Sequence, residues 1–165
     1  MELGIISDTH GYMDERILHH FRDVDAILHA GDVGDLSVCD KLVDLHPLYC
    51  VYGNIDGTNI RKSCPEWIVH SFDGVKILMI HIAGALGKYN AKTRGLIEEH
   101  RPHVLICGHS HILKVAQDSR FDLLHINPGA AGKHGFHKMR TMLKVSASNG
   151  KLTNLRVVEL SSRSA

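Results

Sequence analysis

The feature that most constrains this chain is a repeated ending. Leu3-Gly-Ile-Ile6 runs into Ser7-Asp8-Thr9-His10, Asp25-Ala-Ile-Leu-His29 into Ala30-Gly31-Asp32, and Leu48-Tyr-Cys-Val-Tyr52 into Gly53-Asn54-Ile55-Asp56. Short apolar runs bounded by Gly or turn residues read as buried strands. The segments between them read as helices. Asp14 is an N-cap for a helix over roughly 14–22, with Ile17, Leu18 and Phe21 as its apolar stripe. A second helix is expected over about 36–45, with Leu36, Leu42, Val43 and Leu45 as core and Pro47 ending it. Strands separated by helices are expected to run parallel, in βαβ units. Parallel strands share one carboxyl edge, where open α/β sheets place ligands. Asp8, His10, Asp32 and Asn54 are therefore expected to converge.

The second half reads differently. Trp67–Phe72 and Val75–Ile80 flank Asp73-Gly74, and Met139–Val145 and Leu152–Leu160 flank Asn149-Gly150. Asp-Gly and Asn-Gly between β-prone runs signal hairpins. The first hairpin ends in His81. A loop with Gly84 and Gly87 leads to Asn90, the N-cap of a helix expected over 91–100 and closed by Pro102. His103–Cys107 reads as a strand ending in Gly108-His109-Ser110-His111. Strands near 112–117 and 122–126 follow, then a turn at Asn127-Pro128-Gly129, and the polar tail from Ser161 reads as frayed. A βαβ half followed by hairpins predicts an α/β fold of two sheets packed face to face with helices outside. A single doubly wound sheet is the runner-up, but hairpins demand antiparallel pairs. The 165 residues show no linker or internal repeat, so one domain over 1–165 is expected.

Composition excludes several classes. A net charge of +1 and 5% aromatic residues supply neither a basic groove nor a stacking platform for nucleic acid. No apolar run approaches the ~18 residues of a membrane span, and the first residues lack a basic leader. Cys39, Cys50, Cys64 and Cys107 form no Cys-x-x-Cys pair, and reduced, buried thiols in a cytoplasmic protein are expected. Trp67 and Phe136 are candidate contacts for a homo-oligomer.

Fourteen histidines make the chain rich in imidazole. His19, His20, His46, His70, His100 and His103 are assigned to surface or helix ends. Lys88, Lys92 and Arg94 are read as solvated charges. His29 is either support for Asp32 or a plain buried strand-end residue. His125 precedes the Asn127 turn, and His134 and His137 lie in a Gly-rich basic loop that can reach a bound substrate. The strand-end set is Asp8, His10, Asp32, Asn54, His81, His109 and His111. Mixed nitrogen and oxygen donors without thiolate suit Mn, Fe, Zn or Ni rather than a structural tetrahedral zinc. Seven side chains exceed the needs of one ion, and two ions sharing a carboxylate use them economically.

Asp8-Thr9-His10, Gly31-Asp32, Gly53-Asn54-x-Asp56, His81 and Gly108-His109-Ser110-His111 resemble the five motif blocks of the calcineurin-like metallophosphoesterases. The compact length resembles the small YfcE-type phosphodiesterases and the retromer subunit Vps29. The resemblance implies an α/β/β/α sandwich and a phosphodiesterase acting on small phosphodiesters or activated phosphoesters. It implies Asp8, His10 and His111 on a first metal, Asn54, His81 and His109 on a second, and Asp32 bridging. Mn²⁺ is the first candidate ion, with Ni²⁺, Zn²⁺, Fe²⁺ and Mg²⁺ as alternatives. A hydroxide between the ions would attack phosphorus in line, so Asn54, Asp32 and His109 are the expected catalytic residues. The alternative is a Vps29-like interaction scaffold with a vestigial site. Two departures stand out. Many members carry a His where this chain has Ile55, and that His is thought to protonate the leaving group. Its absence predicts a preference for leaving groups that depart unprotonated. Ile82 also replaces a common Gly after His81, and Gly84 is expected to supply the turn.

Overall fold

A computed structural model describes residues 1–165. The chain runs β1 (Glu2–Ile6), α1 (Glu15–His20), β2 (Ala26–His29), α2 (Leu36–Val43), β3 (Leu48–Cys50) and α3 (Thr58–Ser63). It continues β4 (Trp67–Phe72), β5 (Val75–Ile80), β6 (Gly84–Ala85), β7 (Lys88–Tyr89), α4 (Ala91–His100) and β8 (Val104–Ile106). It closes with β9 (Leu113–Asp118), β10 (Leu123–Pro128), β11 (Met139–Ser148) and β12 (Lys151–Ser162). One five-stranded sheet has the order β12-β11-β1-β2-β3, and the other β4-β5-β8-β10-β9. β1, β2 and β3 are mutually parallel, as are β5, β8 and β10. Both Gly-containing hairpins pair antiparallel where their turns predicted.

The parallel strands are buried on both faces, which explains their unbroken apolar runs. Leu3, Ile5, Ala26 and Leu28 meet Ile77, Met79, Val104 and Ile106 between the sheets. On the outer face, Ile6 and Ile27 pack on Ile17, Phe21, Val38 and Leu42 of the first helices. Leu78, Ile80 and Leu105 pack on Leu96 and Ile97 of α4. The layers are therefore helix, sheet, sheet, helix. Each fully buried aliphatic side chain contributes about 1.5–3 kcal/mol, so burial in the three apolar interfaces between these four layers dominates the fold. No helix is long and apolar enough to cross a membrane.

Several expectations need correction. The two early helices are shorter than expected, and Val43 points outward at 58% exposure while Val38 and Cys39 face the core. α3 was not expected, because only Ile60 of its six residues is buried and no side chain caps it. The tail is not frayed at Ser161. Ser161 and Ser162 pair with Arg140 and Met139, and Arg163 N–H donates to Lys138. A polar edge strand carries no apolar signature when its partner supplies the ladder. All four cysteines are free and buried, and burial pushes the Cys107 thiol up to about 12.

Candidate metal centre

The strand-end residues do arrive on one edge. Asp8 and His10 follow β1, Asp32 follows β2, Asn54 follows β3, His81 follows β5, and His109 and His111 follow β8. Backbone bonds lace these loops together. Asp8 N–H donates to Gly31, His10 N–H to Asp32 and Gly108 N–H to His81, each at 3.0 Å. Gly31 sits at φ +99°, and a Cβ there would stand 2.7 Å from the His81 ring. A Cβ on Gly53 would strike the Asp32 carboxylate. These glycines let neighbouring loops close onto one point.

The backbone is strained where the chemistry gathers. Asp8 (φ 54°), His10 (46°), Asp32 (53°), His109 (72°) and His111 (61°) are all left-handed. Such residues cost about 1–3 kcal/mol each and cluster where function over-determines geometry. Here the strain turns each side chain inward from the end of its strand.

The electrostatics converge on unpaired atoms. The Asp8 Oδ2 accepts from Ser7 Oγ at 2.8 Å and from His109 N–H at 3.1 Å. Its Oδ1 is buried without a hydrogen bond, as are His10 Nε2 and His81 Nε2. His111 Nε2 lies 3.1 Å from that Oδ1, and His10 and His81 Nε2 each lie 3.9 Å away. Asp32 repeats the design. Its Oδ1 accepts from Ile55 N–H at 3.1 Å. Its Oδ2 faces His10 Nε2 at 3.4 Å and His81 Nε2 at 3.2 Å. The His81 Nδ1 bonds the Ala30 carbonyl at 2.7 Å, which fixes the ring with Nε2 inward. Asn54 Oδ1 and His109 Nδ1 approach to 3.0 Å.

Orphaned buried polar atoms cost roughly 1–3 kcal/mol each unless a partner arrives. The three orphans at this edge, Asp8 Oδ1, His10 Nε2 and His81 Nε2, are ligand-type atoms, and the donors fall into two sets. Asp8, His10 and His111 form one, and Asp32, His81 and His109 the other, with donor atoms within 4.8 Å in each. Nitrogen and carboxylate donors turned inward fit divalent first-row ions. The ionisation states agree. Burial pushes the Asp8 carboxyl up, but His10, His111 and His81 outweigh it and hold Asp8 well below the usual carboxylate range. Burial likewise opposes the charged form of His81, yet Asp32 and Asp8 raise its net pKa. Asp32 is lowered against burial by His81.

Other predicted residues find different places. His29 is fully buried, bonds Thr9 Oγ1 at 3.0 Å and accepts from Gly31 N–H at 3.2 Å, so it braces two of the strand-end loops. His134 stacks on His10 at 4.7 Å, and the His137 ring meets His111 edge-on at 5.2 Å. His125 instead bonds Tyr89 at 3.0 Å and lies buried behind the site. Ile55 and Phe136 line the same cleft of about 480 Å³ as the donors, at 47% and 102% exposure. The loop after His81 is closed by Asn90, whose amide donates to Ile82 at 2.8 Å, together with Gly84 at φ +95°. Lys92 is paired with Glu66 at 2.7 Å rather than solvated alone.

Sequence reasoning missed the braces. Ser7 orients Asp8, Asp56 binds the N–H groups of Gly53, Val33 and Gly34, and Asn127 holds Gly108 and Ser110 at 3.0 Å. Ser7 and Asp56 lie inside these motifs, but the reach of Asp56 to Val33 and Gly34, and of Asn127 to Gly108, crosses between loops distant in sequence.

Residues 1–150 match the calcineurin-like phosphoesterase superfamily domain. The chain is 35% identical over 137 residues to a probable metallophosphoesterase of Methanocaldococcus jannaschii, covering 79% of this chain and 68% of the relative. It is 31% identical over 135 residues to a probable metallophosphoesterase of Methanothermobacter thermautotrophicus, covering 79% and 77%. Its fold is similar to an archaeal phosphodiesterase structure, with TM-score 0.76, 24% identity and coverage of 97% and 100%. It is also similar to zinc-complexed Vps29 of Entamoeba histolytica, with TM-score 0.75, 16% identity and coverage of 98% and 99%. An α/β/β/α sandwich, a converging donor cluster and these matches give one conclusion: the chain belongs to the calcineurin-like phosphoesterase superfamily, whose members hydrolyse phosphoesters with divalent metals.

Proposed function

We propose that this chain is a dinuclear metal-dependent phosphodiesterase of small phosphodiesters or activated phosphoesters. One observation carries the reading. Two three-donor sets lie side by side, His10, His111, Asp32 and His109 of them line one cleft, and Asp32 Oδ2 faces a histidine of each set, His10 at 3.4 Å and His81 at 3.2 Å. That placement supports Asp32 as the shared carboxylate, Asp8, His10 and His111 as holders of one ion, and Asn54, His81 and His109 as holders of the other. Divalent ions held there would supply Lewis-acid stabilisation of phosphoryl charge and make water acidic near neutral pH. Mn²⁺ is the first ion to test.

The chain's own groups do the rest. Ser7 and Ile55 N–H each hold one oxygen of a carboxylate, which leaves the other free to point inward. The amide nitrogen of Asn54 has no partner within the fold and can donate to a phosphate oxygen. Ile55 carries no proton, so the leaving oxygen departs without help from that position. Aryl alkoxides tolerate this and alkyl alkoxides do not. The reading as an interaction scaffold rests on fold similarity to Vps29 alone, and the complete donor set favours the enzyme. Bis-p-nitrophenyl phosphate with added Mn²⁺ is the test. The native chain is expected to turn it over, with a loss of about 100-fold or more in Asp32→Ala. Absence of turnover with every divalent ion would overturn the proposal.

A further inference from the structure

A second cleft of about 480 Å³ opens beside the site, lined by Asn54 and His81 of the candidate site and by Arg61, Glu66 and Lys92. We propose that this cleft binds one ester substituent of the substrate, and that Arg61 selects substituents ending in an oxyanion, a carboxylate or a phosphate. The inference rests on the phosphodiesterase reading and names its substrate class.

The charges decide the assignment. Lys92 is neutralised, with its Nζ on both Glu66 oxygens at 2.7 and 2.8 Å. Arg61 pairs with no carboxylate. Its Nε donates to the Asp56 carbonyl at 2.6 Å, and its guanidinium lies 4.3 Å over the Tyr52 ring. Its two terminal nitrogens have no partner within the fold. The cleft therefore presents one uncompensated cation, and that cation is a planar fork suited to bidentate oxyanion binding.

The fork is also pre-positioned. Asp56 grips the turn carrying Asn54 through Gly53 N–H at 2.8 Å, and ties it to the preceding loop through Gly34 N–H at 2.8 Å. Arg61 hangs from the carbonyl of the same residue. Asn54, beside the candidate donors, and Arg61 are thus fixed to one turn. An arginine held by stacking and a backbone bond loses little further rotamer freedom on binding. A phosphodiester that reaches both would be oriented along the cleft, with its other substituent directed towards the open mouth beside Ile55.

Matched p-nitrophenyl phosphodiesters test this. The second alcohol would be propanol, 3-hydroxypropionate or 3-hydroxypropyl phosphate, so chain length is held while the terminus changes. The native chain is expected to prefer the anionic termini over propyl by about tenfold or more in kcat/KM, through KM. The relative strength of the two anionic arms separates a carboxylate from a phosphate ligand. In Arg61→Gln the ratio of anionic to propyl rates should fall to near one. Arg61→Lys should retain part of the preference, because it keeps charge without the fork. Calorimetry gives a readout independent of turnover: 3-phosphonopropionate should bind the native chain more tightly than propylphosphonate, and equally in Arg61→Gln. No preference in the native chain, or a preference that survives Arg61→Gln, would overturn the inference. Turnover of bis-p-nitrophenyl phosphate without the preference would leave the phosphodiesterase reading standing.

Discussion

Asp8, Asp32 and His81 each have one atom held by the chain and another turned inward, and that division makes single substitutions informative. Ser7 touches no substrate, yet its hydroxyl holds Asp8 Oδ2 at 2.8 Å and keeps Oδ1 turned inward. Ser7→Ala should therefore weaken metal affinity by about 10–100-fold, the usual effect of losing a group that orients a ligand. Metal titration followed by calorimetry would show it, with the fold intact by circular dichroism. Ile55 permits the opposite experiment. It stands half-exposed in the mouth of the site with its N–H on Asp32, so a side chain can be exchanged there without disturbing the bond. Ile55→His should raise turnover of alkyl phosphodiesters relative to aryl ones, and general acid help is typically worth 10²–10⁴-fold. Equal rates on alkyl substrates before and after the change would remove Ile55 from the account of leaving-group preference. At this scale the sequence was highly legible. All seven candidate residues follow apolar runs, and the topology brings those strand ends to one edge. What stayed hidden was support by distant residues, such as Asn127 on Gly108 or Asp56 on Gly34, because no local pattern announces a bond between separate loops.

Elements were legible in proportion to how much apolar surface they bury. β1, β2, β5 and β8 declared themselves, whereas α3 buries one residue and the small β6–β7 hairpin presents three exposed residues of its four. The end of β12 was misread for the same reason. Arg140 explains why that end is ordered. It is 1% exposed, donates from Nε to Ala131 at 2.7 Å, and from one terminal nitrogen to Asp14 at 2.9 Å and Ser161 at 3.0 Å. It also lies 4.7 Å over the Tyr12 ring. One buried cation thus ties the N-cap of α1, the loop after β10 and the last strand. Arg140→Met should cost about 2–4 kcal/mol, less than a fully buried pair because Asp14 keeps some access to water. Thermal or urea unfolding measures this directly. The pH dependence has a definite sign. Burial raises the Asp14 carboxyl, but the Arg140 bond and the Ile17 N–H outweigh it and lower its folded pKa below the ordinary value. A lowered folded pKa gives stability that is present above the ordinary carboxylate range and lost as pH falls through the folded pKa. Arg140→Met should therefore flatten the acid limb of the stability curve as well as lower the plateau.

Across the whole molecule, the same arrangement that builds the site also destabilises it. Five left-handed donor residues, buried orphan atoms and two carboxylates of like charge all lie on the edge where both sheets present strand ends. The three apolar layers away from that edge supply the stability that tolerates it. Sequence pattern predicted the layers and the edge, because burial on both faces and turn chemistry fix a sandwich. It could not predict the strain, since left-handed Asp and His look no different in a sequence from extended ones. The consequence is measurable. A ligand that binds only the folded state stabilises it by RT ln(1 + [L]/Kd), about 2.7 kcal/mol at a hundredfold excess over Kd. Chelation should thus lower the unfolding midpoint by several degrees, and Mn²⁺ should restore it. The gain should vanish in Asp32→Ala, because the variant lacks the carboxylate that faces a histidine of each donor set. A metal-independent midpoint in the native chain would mean that the donors do not act as a binding site, and that the strain at Asp8, His10, Asp32, His109 and His111 has another cause.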